Sequence, residues 1–481
     1  LTLCTPYPRY EWAGAKKRLT QTVKQSRQQK TPADTVRQAR PDSAAAVVWE
    51  PDSLPVEAAS APASPPRLDR KPETRVPAEP SRNRDDFLAG ASPLYRIRVA
   101  LGQNLRQASF SSANRMEIRS ADAQRIGARG SITCQAAASS GAAVFVLPGG
   151  GKREISLPCT LGANSEFTIV RFGGKSYRGS MIVSPEQRGA FSVINYCDVE
   201  DYLRGVVPLE IGTMGRKEIE AMKAQAVAAR TYTYKKMENR GDQAFDLLPD
   251  ISDQVYGGVT AENALCNQAI RATRDLVIVY PGSASGGEDS LIFAYYHSTC
   301  GGKTSNIEDV WDKPMYPYLR SVDDCDENRR PFCSGSWTYT WEDSWPLDRL
   351  SKIINHYSRE AFPQNPSSGA LKTIAVTART SCGRTKACAV ATTEGGFTYG
   401  GDRLRFVLRR NVSGFPLLRS TLITDIASSP GSVVIRGKGF GHGIGMCQFG
   451  AIGRARAGQP FERIVKAYYT GVEIRKIERK K

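Results

Sequence analysis

The chain has 481 residues, 40% of them hydrophobic, which excludes a disordered, collagen-like or coiled-coil protein and gives room for roughly two to three domains. Lys and Arg number 66 against 48 Asp and Glu, a formal net charge of +18. Such an excess favours an anionic polymer (nucleic acid, a membrane surface or an acidic cell-wall glycan) without choosing among them. Eleven cysteines point to an oxidising compartment, and Cys325/Cys333 and Cys382/Cys388 read as short loop staples.

Residues 1–90 read as a basic, Pro/Ala/Ser-rich flexible segment, too poor in large apolar side chains to offset the entropy of ordering. The opening Leu1-Thr2-Leu3-Cys4 is similar to the end of a bacterial lipoprotein signal, although Leu3 is bulkier than the small residue expected there. A lipid anchor on Cys4 would leave ten cysteines, an even number. No apolar run reaches about 18 residues, so no membrane span is expected.

Residues 91–200 read as a β-rich lobe, opened by the period-two stretch Tyr95–Leu101 and continued by short strands punctuated by Gly, Pro and Asn. Lys217–Met237 is the strongest helix of the chain, rich in Ala, Glu, Lys and Gln. Residues 201–475 form the remaining region, strands mixed with a few helices, and 476–481 a basic tail. The fold class is α+β, with mostly antiparallel β lobes around one dominant central helix and a substrate cleft.

Three stretches carry chemistry. In Val206-Val207-Pro208-Leu209-Glu210-Ile211-Gly212 the carboxylate reads as a loop residue leading to a helix. Its apolar neighbours would raise its pKa, as a general acid requires, unless it is only a loop carboxylate favoured by a helix N-terminus. Lys223 and Arg230, two helical turns apart, share a face that can point to a cleft. In the second stretch a strand ends in the turn His297-Ser298-Thr299-Cys300-Gly301-Gly302, which either exposes His297 to a ligand or holds it as a hydrogen-bonded structural histidine. Trp311 and Tyr318 follow as flat surfaces for sugar rings, or else as core. The third is Gly437-Lys438-Gly439-Phe440-Gly441-His442-Gly443-Ile444-Gly445-Met446-Cys447-Gln448. It fits neither a dinucleotide fingerprint nor a P-loop. It reads as a tight loop that either sets His442 and Gln448 beside a groove or serves a turn with a structural histidine.

Val207-Pro208-x-Glu210, the Lys223–Tyr232 run, Asp253-Gln254-Val255-Tyr256-Gly257-Gly258, the His297–Thr304 turn with Trp311, and the His442 glycine run followed by Tyr468-Tyr469-Thr470-Gly471 occur in one order. Together they resemble the stage II sporulation protein D family, which includes amidase-enhancer proteins, over about residues 94–475.

The resemblance implies a peptidoglycan lytic transglycosylase. It maps the catalytic acid to Glu210, and substrate contacts to Lys223, Arg230 and His297; Trp311, Tyr318, His442 and Gln448 are the further substrate-binding candidates, read from the residue pattern itself. No cofactor is implied. The implied partners are glycan strands already stripped of peptides and a cell-wall amidase, in an extracytoplasmic location. The sequence departs from the family pattern by about two extra residues between Glu210 and Lys223, and by Cys300 and Cys447 at expected serine positions. These two can pair as a disulfide or stay as thiols. No metal is expected; the alternative is zinc on His297 and Cys300 with another cysteine, a spacing that is not a strong zinc signature.

The rivals are a non-catalytic peptidoglycan-binding enhancer of an amidase, which needs the groove but not Glu210, and a cysteine peptidase on Cys300 and His297. The peptidase is disfavoured because its pair would sit within one turn. Nucleic-acid binding has no helix-turn-helix or finger to support it.

Overall fold

The computed structural model describes residues 95–137, 141–162, 169–212, 214–240, 243–282, 289–410 and 416–477. The expected tether over residues 1–90, Cys4 included, lies outside the described residues, as does most of the basic tail.

Alternation dictates the first lobe. Ile97 and Val99 point inward from Arg96–Leu105, while Arg96 and Arg98 stay partly exposed. That strand pairs antiparallel with Phe191–Asp198, which pairs in turn with Ser180–Pro185. The order continues through Cys159–Gly162 into the long hairpin Gln107–Ser120/Arg125–Ala136, then Ala142–Val146 and Lys152–Ser156, in one ten-stranded sheet. Phe110, Ile118, Phe145 and Val193 are among its core side chains.

Asp198 ends its strand and caps helix α1 (Val199–Glu210): its carboxylate accepts the Glu200 N–H at 2.8 Å. Glu200 and Asp201 lie in the first turn, the favourable end of the helix dipole for anions. Helix α2 (Ile219–Arg240) is the central helix. Every residue from Ala224 to Tyr234 is buried. A helix covered on all sides needs small residues, and the Ala224, Ala226, Ala228 and Ala229 positions admit close neighbours. Helix α3 (Ala264–Ala272), capped by the Asn263 carboxamide, packs against it.

The strand Tyr296–His297 pairs in parallel with Met446–Cys447. Between them the chain builds a second core around Trp345, Leu350, Ile374, Val390, Leu404 and Ile435. It is formed by two three-stranded sheets with helices α4 (Leu347–Ala361) and α5 (Leu404–Val407). The chain then returns through the glycine run to α6 (Gln448–Arg456) and α7 (Phe461–Tyr468), both packed on α2. The molecule is thus mixed α and β with mainly antiparallel sheets.

Candidate functional site

Glu210 is the last residue of α1, not a loop residue ahead of a helix. A proline usually ends a helix, but Pro208 sits in the last turn, where its missing N–H costs one backbone bond and the helix stops two residues later. Ile211 closes the turn by donating to the Val207 carbonyl at 3.1 Å, and Gly212 leaves with φ +82°. The carboxyl therefore lies at the negative end of the helix dipole, the reverse of the N-terminal placement weighed from the sequence.

Burial pushes the Glu210 carboxyl up to about 8, against the opposing pull of two donors. The Val255 N–H donates to Oε1 at 2.9 Å, and Gln448 Nε2 lies 3.4 Å from Oε2. Glu210 has no ionic partner among the described residues. The Val255 donor is fixed from behind. Gln254 bonds Tyr202 of α1, Thr233 of α2 and Tyr296 of the strand, while Asp253 accepts from Tyr232 and the Leu248 N–H.

Gln448 opens α6 and also reaches Gln225 Oε1 at 3.4 Å, while Gln225 Nε2 is buried with no hydrogen-bond partner among the described residues. The face of α2 turned to the glutamate is thus that of Gln225, which lies roughly 140–160° round the helix from Lys223 and Arg230.

The two cations are engaged elsewhere. Arg230 is 0% exposed, its guanidinium forked onto Glu200 (Nε to Oε1 2.7 Å, Nη2 to Oε2 2.8 Å), and it also donates to the Leu276 carbonyl at 3.1 Å. Lys223 pairs with Glu220 at 2.7 Å and lies 5.8 Å from the Phe461 ring centre. That pair is partly solvated, so Lys223→Ala is expected to lower stability by no more than about 1 kcal/mol in urea titration.

The exposed reading of His297 is corrected: it is 0% exposed, because the glycine run folds over its turn. His297 Nδ1 is 3.1 Å from the Ile444 carbonyl, and Nε2 is buried with no hydrogen-bond partner among the described residues. The close cover depends on glycine. A Cβ on Gly445 would stand 2.1 Å from the Tyr295 carbonyl oxygen, and one on Gly439 2.5 Å from that of Thr299, both at positive φ.

His442 is also 0% exposed. Its Nδ1 accepts the Ile444 N–H at 3.0 Å, which leaves Nε2 to donate to the Tyr296 carbonyl at 3.0 Å. Burial holds both imidazoles well below the usual histidine range, so both are neutral. Their rings are 5.5 Å apart, and Trp311 lies 4.8 Å from His442. Tyr318 is a core residue, 6% exposed and packed against Tyr280 and Tyr316, with its oxygen accepting the Phe293 N–H at 3.4 Å.

Glu210, Gln448 and Gln225 therefore form one group and His297, His442 and Trp311 another. Tyr469 of the Tyr468-Tyr469 pair bonds the Tyr295 carbonyl at 2.7 Å, beside the second group. Gln225 and Val255 lie inside the motifs, but a neutral amide between Ala224 and Ala226 and a backbone N–H carry no charge signal that marks them in the sequence. The turns of Cys300 and Cys447 are neighbours: the Cys300 N–H donates to Cys447 Sγ at 3.2 Å. The ten described cysteines are all unpaired thiols, which corrects the staples Cys325/Cys333 and Cys382/Cys388. Cys333 instead turns to Cys300, at 3.5 Å between sulfurs, and Cys388 is sealed in the second core.

The model of the stage II sporulation protein family matches residues 187–280, the segment from the end of the first sheet through α1, α2 and the Val255 turn to the Leu276–Tyr280 strand. A domain of unknown function (DUF8618) matches 332–445, the second core and the return through the glycine run. An uncharacterized protein of Brachyspira hyodysenteriae is 32% identical over 311 residues, which cover 63% of this chain and 73% of that protein. The amidase enhancer of Bacillus subtilis is 29% identical over 56% of this chain and 40% of its own length. The stage II sporulation protein D of the same organism is 27% identical over 63% of this chain and 81% of its own. With the Val-Pro-x-Glu helix end, the central helix and the two histidine turns assembled in one unit, the chain belongs to the stage II sporulation protein D family.

Proposed function

We propose that this chain acts on the bacterial cell wall as a peptidoglycan lytic transglycosylase, with Glu210 as its one acid and base. The observation that carries this reading is a carboxyl at the end of α1 whose burial, at a helix C-terminus and without a cation, keeps it protonated at neutral pH. Such a group can protonate the oxygen between N-acetylmuramic acid and N-acetylglucosamine. The resulting carboxylate then takes the proton of the C6 hydroxyl of N-acetylmuramic acid as that oxygen attacks C1, closing a 1,6-anhydro ring. The proton count closes on one residue, whereas hydrolysis with a water nucleophile commonly uses two carboxylates. Gln448 and the Val255 N–H orient the carboxyl and stabilise the charge it acquires at mid-reaction.

The substrate would be glycan strands stripped of peptides, in an extracytoplasmic setting, with a cell-wall amidase as the partner that strips them. A second reading, a non-catalytic enhancer of such an amidase, is favoured by one observation: Glu210 is 2% exposed, so catalysis requires its cover to open. Mass spectrometry of peptide-stripped strands incubated with the full chain separates the two. Anhydro-ended fragments support the transglycosylase; intact strands together with a stimulated amidase support the enhancer.

The pH profile is a further check. The starting acid must be protonated, so kcat/KM should be level through neutral pH and fall as pH rises past about 8. His297 and His442, both held below the usual histidine range by burial, should add no limb near neutral pH. A rising limb there would assign the acid or base role to another group.

A further inference from the structure

Four buried side chains distant in sequence converge beneath the His297 turn. The ligand atoms of Cys300, Asp324, Cys333 and Cys447 all lie within 4.8 Å of one another. Cys300 Sγ is 3.5 Å from Cys333 Sγ and 3.4 Å from Asp324 Oδ2. A tetrahedral zinc with Zn–S bonds of about 2.3 Å and a Zn–O bond of about 2.1 Å sets sulfurs about 3.8 Å apart and sulfur and oxygen about 3.6 Å apart. The observed spacings are a few tenths of an ångström from these. An iron–sulfur cluster would hold its thiolates further apart, since several iron and sulfide atoms would stand between them.

The surroundings support ligation by these atoms in particular. Asp324 Oδ1 is occupied by Arg454 Nε at 3.0 Å and the Tyr468 hydroxyl at 2.8 Å, which turns Oδ2 to the sulfurs. The space beside Oδ2 is kept by Gly450, whose Cβ, if present, would stand 2.0 Å from it. Backbone donors serve the sulfurs: the Cys300 and Gly450 N–H groups each lie 3.2 Å from Cys447 Sγ, and the Gly302 N–H 3.3 Å from Cys300 Sγ. Such donors stabilise anionic sulfur, and Arg454 supplies a neighbouring positive charge. His297 takes no part, since neither of its ring nitrogens is among the ligand atoms that converge here.

We propose that Cys300, Asp324, Cys333 and Cys447 bind one zinc ion as a closed, four-ligand structural site. Four protein ligands leave no open position for substrate. The ion fastens the turn after His297, the loop carrying Asp324 and Cys333, and the start of α6, whose first residue Gln448 reaches Glu210. The proposal rests on the thiol geometry and stands apart from the glycan reading.

Elemental analysis of the purified full chain, supplied with zinc salt and then dialysed, is expected to give one zinc per chain. Cys333→Ser should reduce it to well under half, whereas Cys388→Ser, in the second core, should leave it unchanged. Mass-spectrometric alkylation needs no variant: Cys300, Cys333 and Cys447 should be protected, and a strong chelator should expose all three together. Cobalt(II) exchanged into the site should show thiolate-to-metal absorption with the intense visible bands of tetrahedral coordination. A zinc-free wild-type chain, zinc content indifferent to Cys333→Ser, a disulfide among the three cysteines, or iron–sulfur absorbance would each overturn the site.

Discussion

Glu210→Gln is expected to lose glycan-cleaving activity by about 100-fold or more while melting at a higher temperature than the parent above pH 8. Glutamine copies the shape of the protonated acid and keeps an oxygen for the Val255 N–H, but it cannot release a proton to the glycosidic oxygen. The stability effect has a definite sign. The folded carboxyl titrates near 8, above the 4.5 of the free group, so the folded state holds the proton more tightly. The parent is therefore most stable below pH 4.5, loses stability as pH rises from there through 8, and levels off above it. Each pKa unit corresponds to about 1.4 kcal/mol, so the penalty that Gln removes amounts to at most about 5 kcal/mol. Melting curves of both proteins should coincide near pH 4.5 and separate progressively up to pH 8. Full glycan cleavage by the variant would remove Glu210 from the mechanism. Parallel melting curves at every pH would mean that the carboxyl is not desolvated.

Arg230→Ala is expected to destabilise the protein by about 3–5 kcal/mol, because Glu200 would be left as a buried carboxylate without its counter-ion. The carbonyls of Leu276 and Ile270, which now accept from the guanidinium, would lose a donor as well. The double variant Glu200→Met/Arg230→Met should recover much of that loss, since an apolar pair carries no desolvation penalty. Urea unfolding of the parent and the two variants measures it. A substrate role would give a different pattern: a stable Arg230→Ala protein with reduced turnover, and no rescue by the second substitution.

The sequence alone reached several elements correctly, and for identifiable reasons. Period-two alternation marks Tyr95–Leu101 because one face of that strand is buried and the other is wet. The Ala- and Glu-rich composition marks the central helix, expected over Lys217–Met237 and found over Ile219–Arg240. The glycine run stands out because its backbone must pass within contact distance of the Tyr295 and Thr299 carbonyls, which no side chain allows. The motif order gave the family.

What the sequence left open depends on surroundings that local pattern does not encode. Glu210, two residues after Pro208, reads as a loop residue in sequence, yet tertiary packing carries α1 through Pro208 and leaves the carboxyl at the helix's negative end. The central helix is buried on all sides, so it has no apolar stripe to orient it. Its hydropathy therefore could not say whether the Lys223/Arg230 face or the Gln225 face meets Glu210. Spacing in sequence pairs Cys333 with Cys325, whereas in the fold its sulfur meets that of Cys300. Cys300 and Cys447 stand 147 residues apart, and the parallel pairing of Tyr296–His297 with Met446–Cys447, across a segment with its own core, brings them together. Composition and periodicity thus determined which elements exist and which motifs the chain carries. Long-range packing, through the burial and the partners it imposes, decided the charge state of Glu210, the fate of each cation and the meeting of the cysteines.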